Sequence, residues 1–164
     1  VIRGQIISLA IASLILFIIM SIVFRSFIGG FFASLPMLLA VLLIFGLLGN
    51  FGIPLNMTTS LLTCILVGVG IDYSVHFLWH LREYIRDGEE LEQAISNTMK
   101  VSGKGILFNG ISVVVGFSVL MYSVFLPLKA FSVLIMASIS FCLVGGMAIL
   151  PAMISLIDPN FIRK

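Results

Sequence analysis

Asp72 is the residue with the clearest chemical potential in this sequence, because it lies inside a long apolar stretch. No charged residue occurs in the fourteen positions from Thr58 to Ile71, and the next one after Asp72 is Arg82. A carboxylate inside a membrane span is costly and usually marks an ion or proton pathway. Burial favours its protonated form, so Asp72 is predicted to bind and release a proton as its access to water changes.

Two other residues belong to the same face of the predicted helix as Asp72. Gly68 and His76 lie four residues before and after it, a spacing that stacks side chains on one side of an α-helix. The glycine leaves room for another helix or water beside the acid. His76 either extends a proton path or packs as a neutral residue. Tyr73 lies off this face as a hydrogen-bonding or packing residue, and His80 is interpreted as a residue of the membrane interface.

Other site chemistries fit these residues less well. Asp72, His76 and His80 span about 12 Å along a helix, too far for one metal ion with ligand bonds of about 2 Å, so no metal site is predicted. An intramembrane aspartyl protease needs a second intramembrane aspartate, and Asp158 falls at the end of the last apolar run. The sequence has no Gly-x-x-x-x-Gly-Lys-Ser/Thr phosphate loop. We therefore predict no enzymatic activity and no cofactor.

The composition indicates a polytopic membrane protein of the all-α class. Of the 164 residues, 60% are hydrophobic and only 10% are charged, against roughly 25% charged in soluble domains. The net charge of +2 gives no indication of nucleic-acid binding. Cys64 and Cys142 fall within apolar runs and are interpreted as small packing residues rather than a disulfide. One transmembrane domain is predicted over residues 1–164, with spans at 5–24, 28–49, 58–79, 105–124 and 130–157.

The basic residues predict the orientation of the spans. Seven of the nine fall on one side of the membrane, and the other two, Arg3 and Lys129, fall on the opposite side. Positive charge accumulates on the cytoplasmic side, so the N-terminus is predicted outside the cell membrane and the C-terminus in the cytoplasm. The sequence starts at Val1 without a basic segment and cleavage site. We therefore predict no signal peptide and interpret the chain as a piece of a longer protein.

The connection between the third and fourth spans is long enough to fold. It starts with the turn signal Arg86-Asp87-Gly88. Residues 88–101 then place apolar side chains at helical spacing, with acidic residues in the first turn and Lys100 in the last. A cytoplasmic amphipathic helix is predicted here, lying at the membrane face as a connector or a regulatory element.

The fourth span carries small and polar residues along one face. Asn109 and Ser112 belong to this face, with Gly116 one turn later. At about 1.5 Å per residue, Asp72 and Ser112 lie about 12 and 10 Å from the cytoplasmic ends of their spans. Asn109 and Ser112 are therefore candidate relay partners of Asp72, and ordinary helix packing is the alternative explanation of the stripe.

A second stripe of small residues runs along the fifth span. Ser138, Cys142 and Gly146 repeat every four residues, the small-xxx-small pattern that lets two helices pack closely in a membrane. Pro151 follows near the predicted cytoplasmic end. Because proline lacks an N–H and clashes with the preceding turn, it is predicted to kink or terminate the span.

Several motifs together resemble one known superfamily. They are Gly68-x-x-x-Asp72-Tyr73 with the exit from His76 to Glu83, the stretch from Ser102 to Asn109, Gly116-Phe117 with Leu120, Pro127 with Phe131, and Leu150-Pro151-Ala152. In this combination the sequence resembles the resistance-nodulation-division (RND) superfamily over nearly its whole length. It is most similar to the exporters grouped as the mycobacterial membrane protein large (MMPL) family, and more distantly to sterol-sensing domains.

The resemblance implies that the chain works inside a larger protein. Members of the superfamily have two repeats of six helices, with a large extracellular domain between the first two helices of each repeat. This chain resembles helices two to six or eight to twelve, so the expected partners are the other repeat, the extracellular porter domains and the lipid bilayer. Asp72 and Tyr73 match the aspartate-tyrosine pair that serves proton relay in proton-driven members, and Gly68 matches the glycine of that motif.

The function implied by the resemblance is secondary active export of lipids or other hydrophobic compounds, energised by proton flow through Asp72. The coupling ion is H⁺, with Na⁺ as the alternative. A sterol-sensing-type module that binds lipid or regulates without pumping is the competing hypothesis. A third hypothesis is a helix bundle that scaffolds other subunits.

Overall fold

The chain folds into a bundle of long helices in a computed structural model that describes residues 2–50, 52, 57–158 and 162. No strand occurs within these residues. The α-helices are, in chain order, α1 (Ile2–Val23), α2 (Phe27–Asn50), α3 (Met57–Arg86), α4 (Leu91–Thr98), α5 (Lys104–Ser118), α6 (Leu126–Val144) and α7 (Leu150–Ile157). Between the later helices lie a first π turn (Met99–Gly103), a 3₁₀ turn (Val119–Tyr122) and a second π turn (Gly145–Ile149).

Five stretches of helix within the described residues are long and apolar enough to cross a membrane. They are α1, α2, most of α3, the continuous helix from Leu91 to Tyr122 and the continuous helix from Leu126 to Ile157. A helix satisfies its backbone hydrogen bonds internally, so an apolar helix of this length is stable in lipid. The predicted all-α bundle with five membrane-length helices is confirmed.

The third helix extends beyond its apolar part. The predicted span covers 58–79, whereas α3 continues to Arg86, because charged residues such as arginine and glutamate also favour a helix. The helix ends in a Schellman motif, in which the N–H of Glu89 donates to the carbonyl of Tyr84 at 3.2 Å. Gly88 has a φ of +94° in this motif, a conformation that glycine adopts without steric cost. The predicted turn signal therefore ends α3.

The structure differs from the predicted break between an amphipathic helix at 88–101 and a span beginning at 105. The helix begins at Leu91 and passes through the first π turn into α5 without interruption. Ser102 and Gly103 lie in this turn, and neither residue type stops a helix, since glycine costs only about 1 kcal/mol relative to alanine. The amphipathic segment is thus the first part of the fourth membrane-length helix rather than a separate element.

The fifth membrane-length helix continues past Pro151 to Ile157. Pro151 lies in the first turn of α7, directly after the second π turn. In a π turn the backbone hydrogen bonds join residues five positions apart instead of four. The proline ring is accommodated because the α-helical hydrogen bonding is already interrupted there. Of the two effects predicted for Pro151, a kink or the end of the span, the end does not occur. The helix ends before Asp158, which has a φ of +41°.

Three helices form the centre of the bundle. α2, α3 and α6 contact one another, and they bury a larger share of their residues than α1 and the α4–α5 helix do. α1 packs mainly against α2, and α5 packs against α6, whereas α4 and the first π turn pack against α3. α3 therefore belongs to the centre of the bundle, and it carries the residues predicted to do chemistry.

Polar contacts between backbone and side chains link the outer elements to the centre. Ser132 on α6 donates its hydroxyl to the carbonyl of Phe117 on α5 at 2.6 Å. Arg82 on α3 donates from Nη1 to the carbonyl of Phe24, in the turn after α1, at 3.5 Å. Hydrogen bonds between membrane helices contribute roughly 0.6–2 kcal/mol each, so they support a fold that side-chain packing specifies.

Candidate functional site

Asp72 and His76 lie together in the middle of α3. Oδ1 of Asp72 is 3.5 Å from Nε2 of His76, one helical turn away. Both side chains can carry a proton, and at this distance a proton can pass between them directly or through one water. The four-residue spacing in the sequence brings the two side chains to one face of the helix.

This face of α3 is largely exposed. The side chains of Asp72 and His76 are 54% and 63% exposed, and Trp79 is exposed as well. A Cβ added at Gly68 would meet no atom within 4 Å, so the open space predicted beside the acid is present. The described residues of this chain do not bury Asp72, because the bundle packs against the other faces of α3.

Tyr73, the next residue along α3, points into the bundle. Its side chain is 1% exposed, and a Cβ added at Gly146 of the second π turn would lie 3.2 Å from the Cβ of Tyr73. The tyrosine hydroxyl reaches α5, where a Cβ added at Gly110 would lie 3.4 Å from it. This hydroxyl has no hydrogen-bond partner among the described residues. Tyr73 therefore connects the Asp72 segment with both α5 and the end of α6.

A cleft of about 330 Å³ separates the Asp72 face of α3 from the fourth membrane-length helix. It is lined by Asp72, Tyr73, His76, His80, Val101, Ser102, Gly105, Ile106 and Asn109. A water molecule occupies about 30 Å³ in the liquid, so the cleft has room for several. The acid of α3 thus shares a space with room for several waters with residues of the helix opposite.

The structure brings one of the two predicted relay partners into this cleft. Asn109 lines it together with Asp72. Ser112 does not line the cleft; it is exposed, and its hydroxyl donates to the carbonyl of Phe108 at 2.7 Å. A serine inside a helix commonly makes this bond to the preceding turn. The similar depths of Asp72 and Ser112 therefore do not bring them together, because Ser112 faces another direction.

Two further residues line the cleft although neither is among the predicted site residues. His80 lines it although the sequence suggests an interfacial role, and its Nδ1 is 3.4 Å from Oε2 of Glu83. Its eight-residue distance from Asp72 is the signal, because this spacing keeps both on one helical face. Ser102 lies seven residues before Asn109, which places both on one side of a continuous helix. The predicted helix break obscured that relation.

The charges of the site come from α3. The cleft residues contributed by the opposite helix carry no charge, whereas α3 contributes Asp72 and two histidines. Within the described part of the chain, no group of three His, Cys, Asp or Glu side chains is placed to hold a metal ion. A carboxylate beside an imidazole, in a cleft with room for several waters, is suited to binding a proton and passing it on.

The stripe on the fifth span lies where α6 meets α3. Ser138, Cys142 and Gly146 are all buried. A Cβ added at Gly70 on α3 would lie 2.9 Å from Sγ of Cys142, closer than carbon and sulfur atoms normally approach. Gly146 faces Tyr73 in the same contact. Small residues on both helices therefore allow the backbone that carries Asp72 to approach α6 closely.

Comparison with known proteins places the chain in a family. The model of the MMPL family matches residues 3–160. The chain belongs to the MMPL family. This confirms the resemblance that Gly68, Asp72, Tyr73 and the later motifs indicate. Together with the five apolar helices, it makes the chain part of a multi-pass membrane protein of a transporter family.

Similar proteins are found in archaea and bacteria. A putative membrane protein of Methanocaldococcus jannaschii is 31% identical over 137 residues, 84% of the MMPL chain described here and 35% of that protein. The trehalose monomycolate exporter of Mycolicibacterium smegmatis is 24% identical over 164 residues, which cover 96% of this chain and 16% of the exporter. The apo-petrobactin exporter of Bacillus anthracis is 28% identical over 93 residues, 57% of this chain and 12% of the exporter.

The MMPL chain spans about a third or less of the length of these relatives. No solved structure matches the sequence. The family match therefore covers the membrane bundle and its cleft, and most of each relative lies outside the matched region.

Proposed function

We propose that this chain is the membrane part of one repeat of a proton-driven MMPL exporter, and that Asp72 binds the proton that energises export. The observation that carries the proposal is the cleft in which Asp72 lies beside His76 and Asn109. A carboxylate in the middle of a membrane span can take up and release protons where it reaches a cleft that holds water. Transport, rather than a covalent reaction, is the process that such a site serves.

The exposed face around Asp72 is the proposed contact with the other repeat of the parent protein. A charged side chain facing lipid at the centre of a bilayer costs at least about 2.5–3.5 kcal/mol, so this face needs a cover that is not lipid. Gly68, with open space above it, permits close approach of a helix. In this proposal Asp72 holds its proton while the other repeat covers it and releases the proton when the cleft opens to water. Alternation between these states couples proton movement to a conformational change.

The proposed substrate is a lipid or another hydrophobic compound. The relatives include a trehalose monomycolate exporter and an apo-petrobactin exporter, and these names support export as the common process. The substrate proposal follows the resemblance to lipid-exporting MMPL proteins. The cleft is proposed to bind the proton and not the substrate.

A gradient experiment on the full-length parent protein tests this function. The protein is reconstituted in vesicles with a phospholipid labelled on one acyl chain by a fluorophore, and a membrane-impermeant quencher reports which leaflet holds the label. A difference of one pH unit supplies about 1.4 kcal/mol per proton, enough to change the leaflet distribution about tenfold at a coupling of one. We expect this redistribution with a pH gradient and not with a tenfold Na⁺ gradient. An equal response to Na⁺, or no response to pH, would contradict the proposal.

The orientation of the bundle gives a separate prediction. Glu90 lies directly before α4, and Val124 is fully exposed between the 3₁₀ turn and α6. In a cysteine-free full-length protein, Val124→Cys is expected to react with a membrane-impermeant thiol reagent in intact cells, and Glu90→Cys only after permeabilisation. The reverse pattern would show that the bundle has the opposite orientation in the membrane to the one predicted from Arg and Lys.

A further inference from the structure

Ser102 lines the same cleft as Asp72, from the opposite helix. The residue is 7% exposed, and its hydroxyl has no hydrogen-bond partner among the described residues. Leaving a buried hydroxyl unpaired costs about 1–3 kcal/mol, so a ligand small enough to enter the cleft and pair with it is favoured. Water fits best, because a buried water needs two to four polar partners. Asp72, His76 and Asn109 line the same space and supply them.

The first π turn places Ser102 at this position. The turn covers Met99–Gly103 inside an otherwise continuous helix, and a π turn holds more residues than an α turn, which changes the direction of the side chains around it. Such turns occur frequently at functional sites. The cleft beside it stays open because Gly105 has no side chain, and a Cβ added there would meet nothing within 4 Å.

We infer that Ser102 is a positioning residue whose hydroxyl holds an ordered water in the cleft, and that Asp72 exchanges its proton with solvent through this water. The inference rests on the proposed proton role of Asp72. His76 and His80 follow Asp72 at intervals of one turn along α3, so the path leads toward the end of the bundle where α3 passes into α4. The titratable groups that face the water are Asp72, Tyr73, His76 and His80, all on α3, and the opposite helix contributes none.

The chain offers a matched control for Ser102. Ser74 is also a serine with a buried hydroxyl that lacks a partner among the described residues, and it is 0% exposed. It does not line the cleft. Ser74→Ala and Ser102→Ala remove the same atom from buried positions, so a difference between the two variants reflects the cleft and not the general effect of the substitution.

Infrared difference spectroscopy of the full-length protein in lipid tests the inference without a transported substrate. Spectra at acidic and neutral pH show the C=O stretch of carboxyl groups that take up a proton, and the part of this signal lost in Asp72→Asn depends on Asp72. In Ser102→Ala this band is expected to move to higher frequency, because the carboxyl group loses a hydrogen bond from the held water. Ser102→Thr keeps a hydroxyl and is expected to restore the parental frequency, and Ser74→Ala is expected to leave it unchanged.

The outcomes separate this inference from the proposed function. An Asp72-dependent band that stays in place in Ser102→Ala would overturn the role of Ser102 and leave the proton role of Asp72 intact. An equal displacement of the band in Ser74→Ala would also overturn it, since the effect would then come from packing. If no band depends on Asp72, the proposed proton role fails, and the inference about Ser102 fails with it.

Discussion

Gly146→Leu is expected to lower the free energy of unfolding by about 3 kcal/mol, the upper part of the range for overpacked protein cores. Gly145 and Gly146 lie where the three central helices meet. A Cβ at Gly146 would lie 3.2 Å from the Cβ of Tyr73, and a Cβ at Gly145 would lie 3.0 Å from the Cβ of Pro36 on α2. A leucine side chain has no room in this contact, so α6 and α3 must move apart. The separation also displaces the segment that carries Asp72.

The measurement is the thermal unfolding midpoint of the full-length protein in detergent, followed by size-exclusion chromatography. Gly46→Leu on α2 is the matched control, because a Cβ added there would meet nothing within 4 Å. Gly146→Ala is expected to fall between the control and Gly146→Leu, since a single methyl group requires a shift of only a few tenths of an ångström. If Gly146→Leu unfolds at the same temperature as Gly46→Leu, the glycine pair does not form a tight contact.

The helical bundle could be predicted from hydropathy because a membrane helix must be apolar along a defined length. The positions of the five spans follow from that requirement. Their ends do not, since α3 continues to Arg86 through residues that are polar but favour a helix. Hydropathy therefore identifies the part of a helix that is apolar, and the turn around Gly88 identifies its end.

The two π turns could not be predicted from residue periodicity. A π turn shifts the helical phase by inserting residues into an otherwise regular helix, and Ser102 and Gly103 look like a break in an α-helical pattern. For the same reason Pro151 suggests a kink or the end of a span, whereas the helix continues because the π turn before it accommodates the ring. The error at 102–103 has a direct consequence, because it separates Ser102 from Asn109 on what is one helix.

A contact in the candidate site could be predicted from the sequence only where both residues lie on the same helix. Asp72 and His76 are four residues apart on α3, so their proximity could be predicted from spacing alone. The pairing of Asp72 with Asn109 depends on the rotation of two helices about their axes, which neither depth nor spacing defines. This is why Asn109 lines the cleft and Ser112 does not.

Asp72→Asn is expected to abolish proton-driven transport in the full-length parent protein. The amide has nearly the shape of the protonated acid but cannot release a proton, so the site remains in one charge state. Folding and insertion are expected to persist, because a neutral amide is cheaper to bury than an unpaired carboxylate. Ser74→Ala, one residue beyond the Asp72-Tyr73 pair and outside the cleft, is expected to retain transport close to the parental rate.

The central claim is tested most directly by measuring proton and lipid movement in the same vesicles. A trapped pH-sensitive dye reports proton flux, and the acyl-labelled phospholipid reports transport, for parental protein, Asp72→Asn and Ser74→Ala that each elute as folded protein in gel filtration. We predict that both signals rise together in the parental protein and Ser74→Ala, and that both fall to background in Asp72→Asn. Folded Asp72→Asn protein that still couples lipid movement to proton flux at the parental rate would contradict the account, and Asp72 would then be a structural acid.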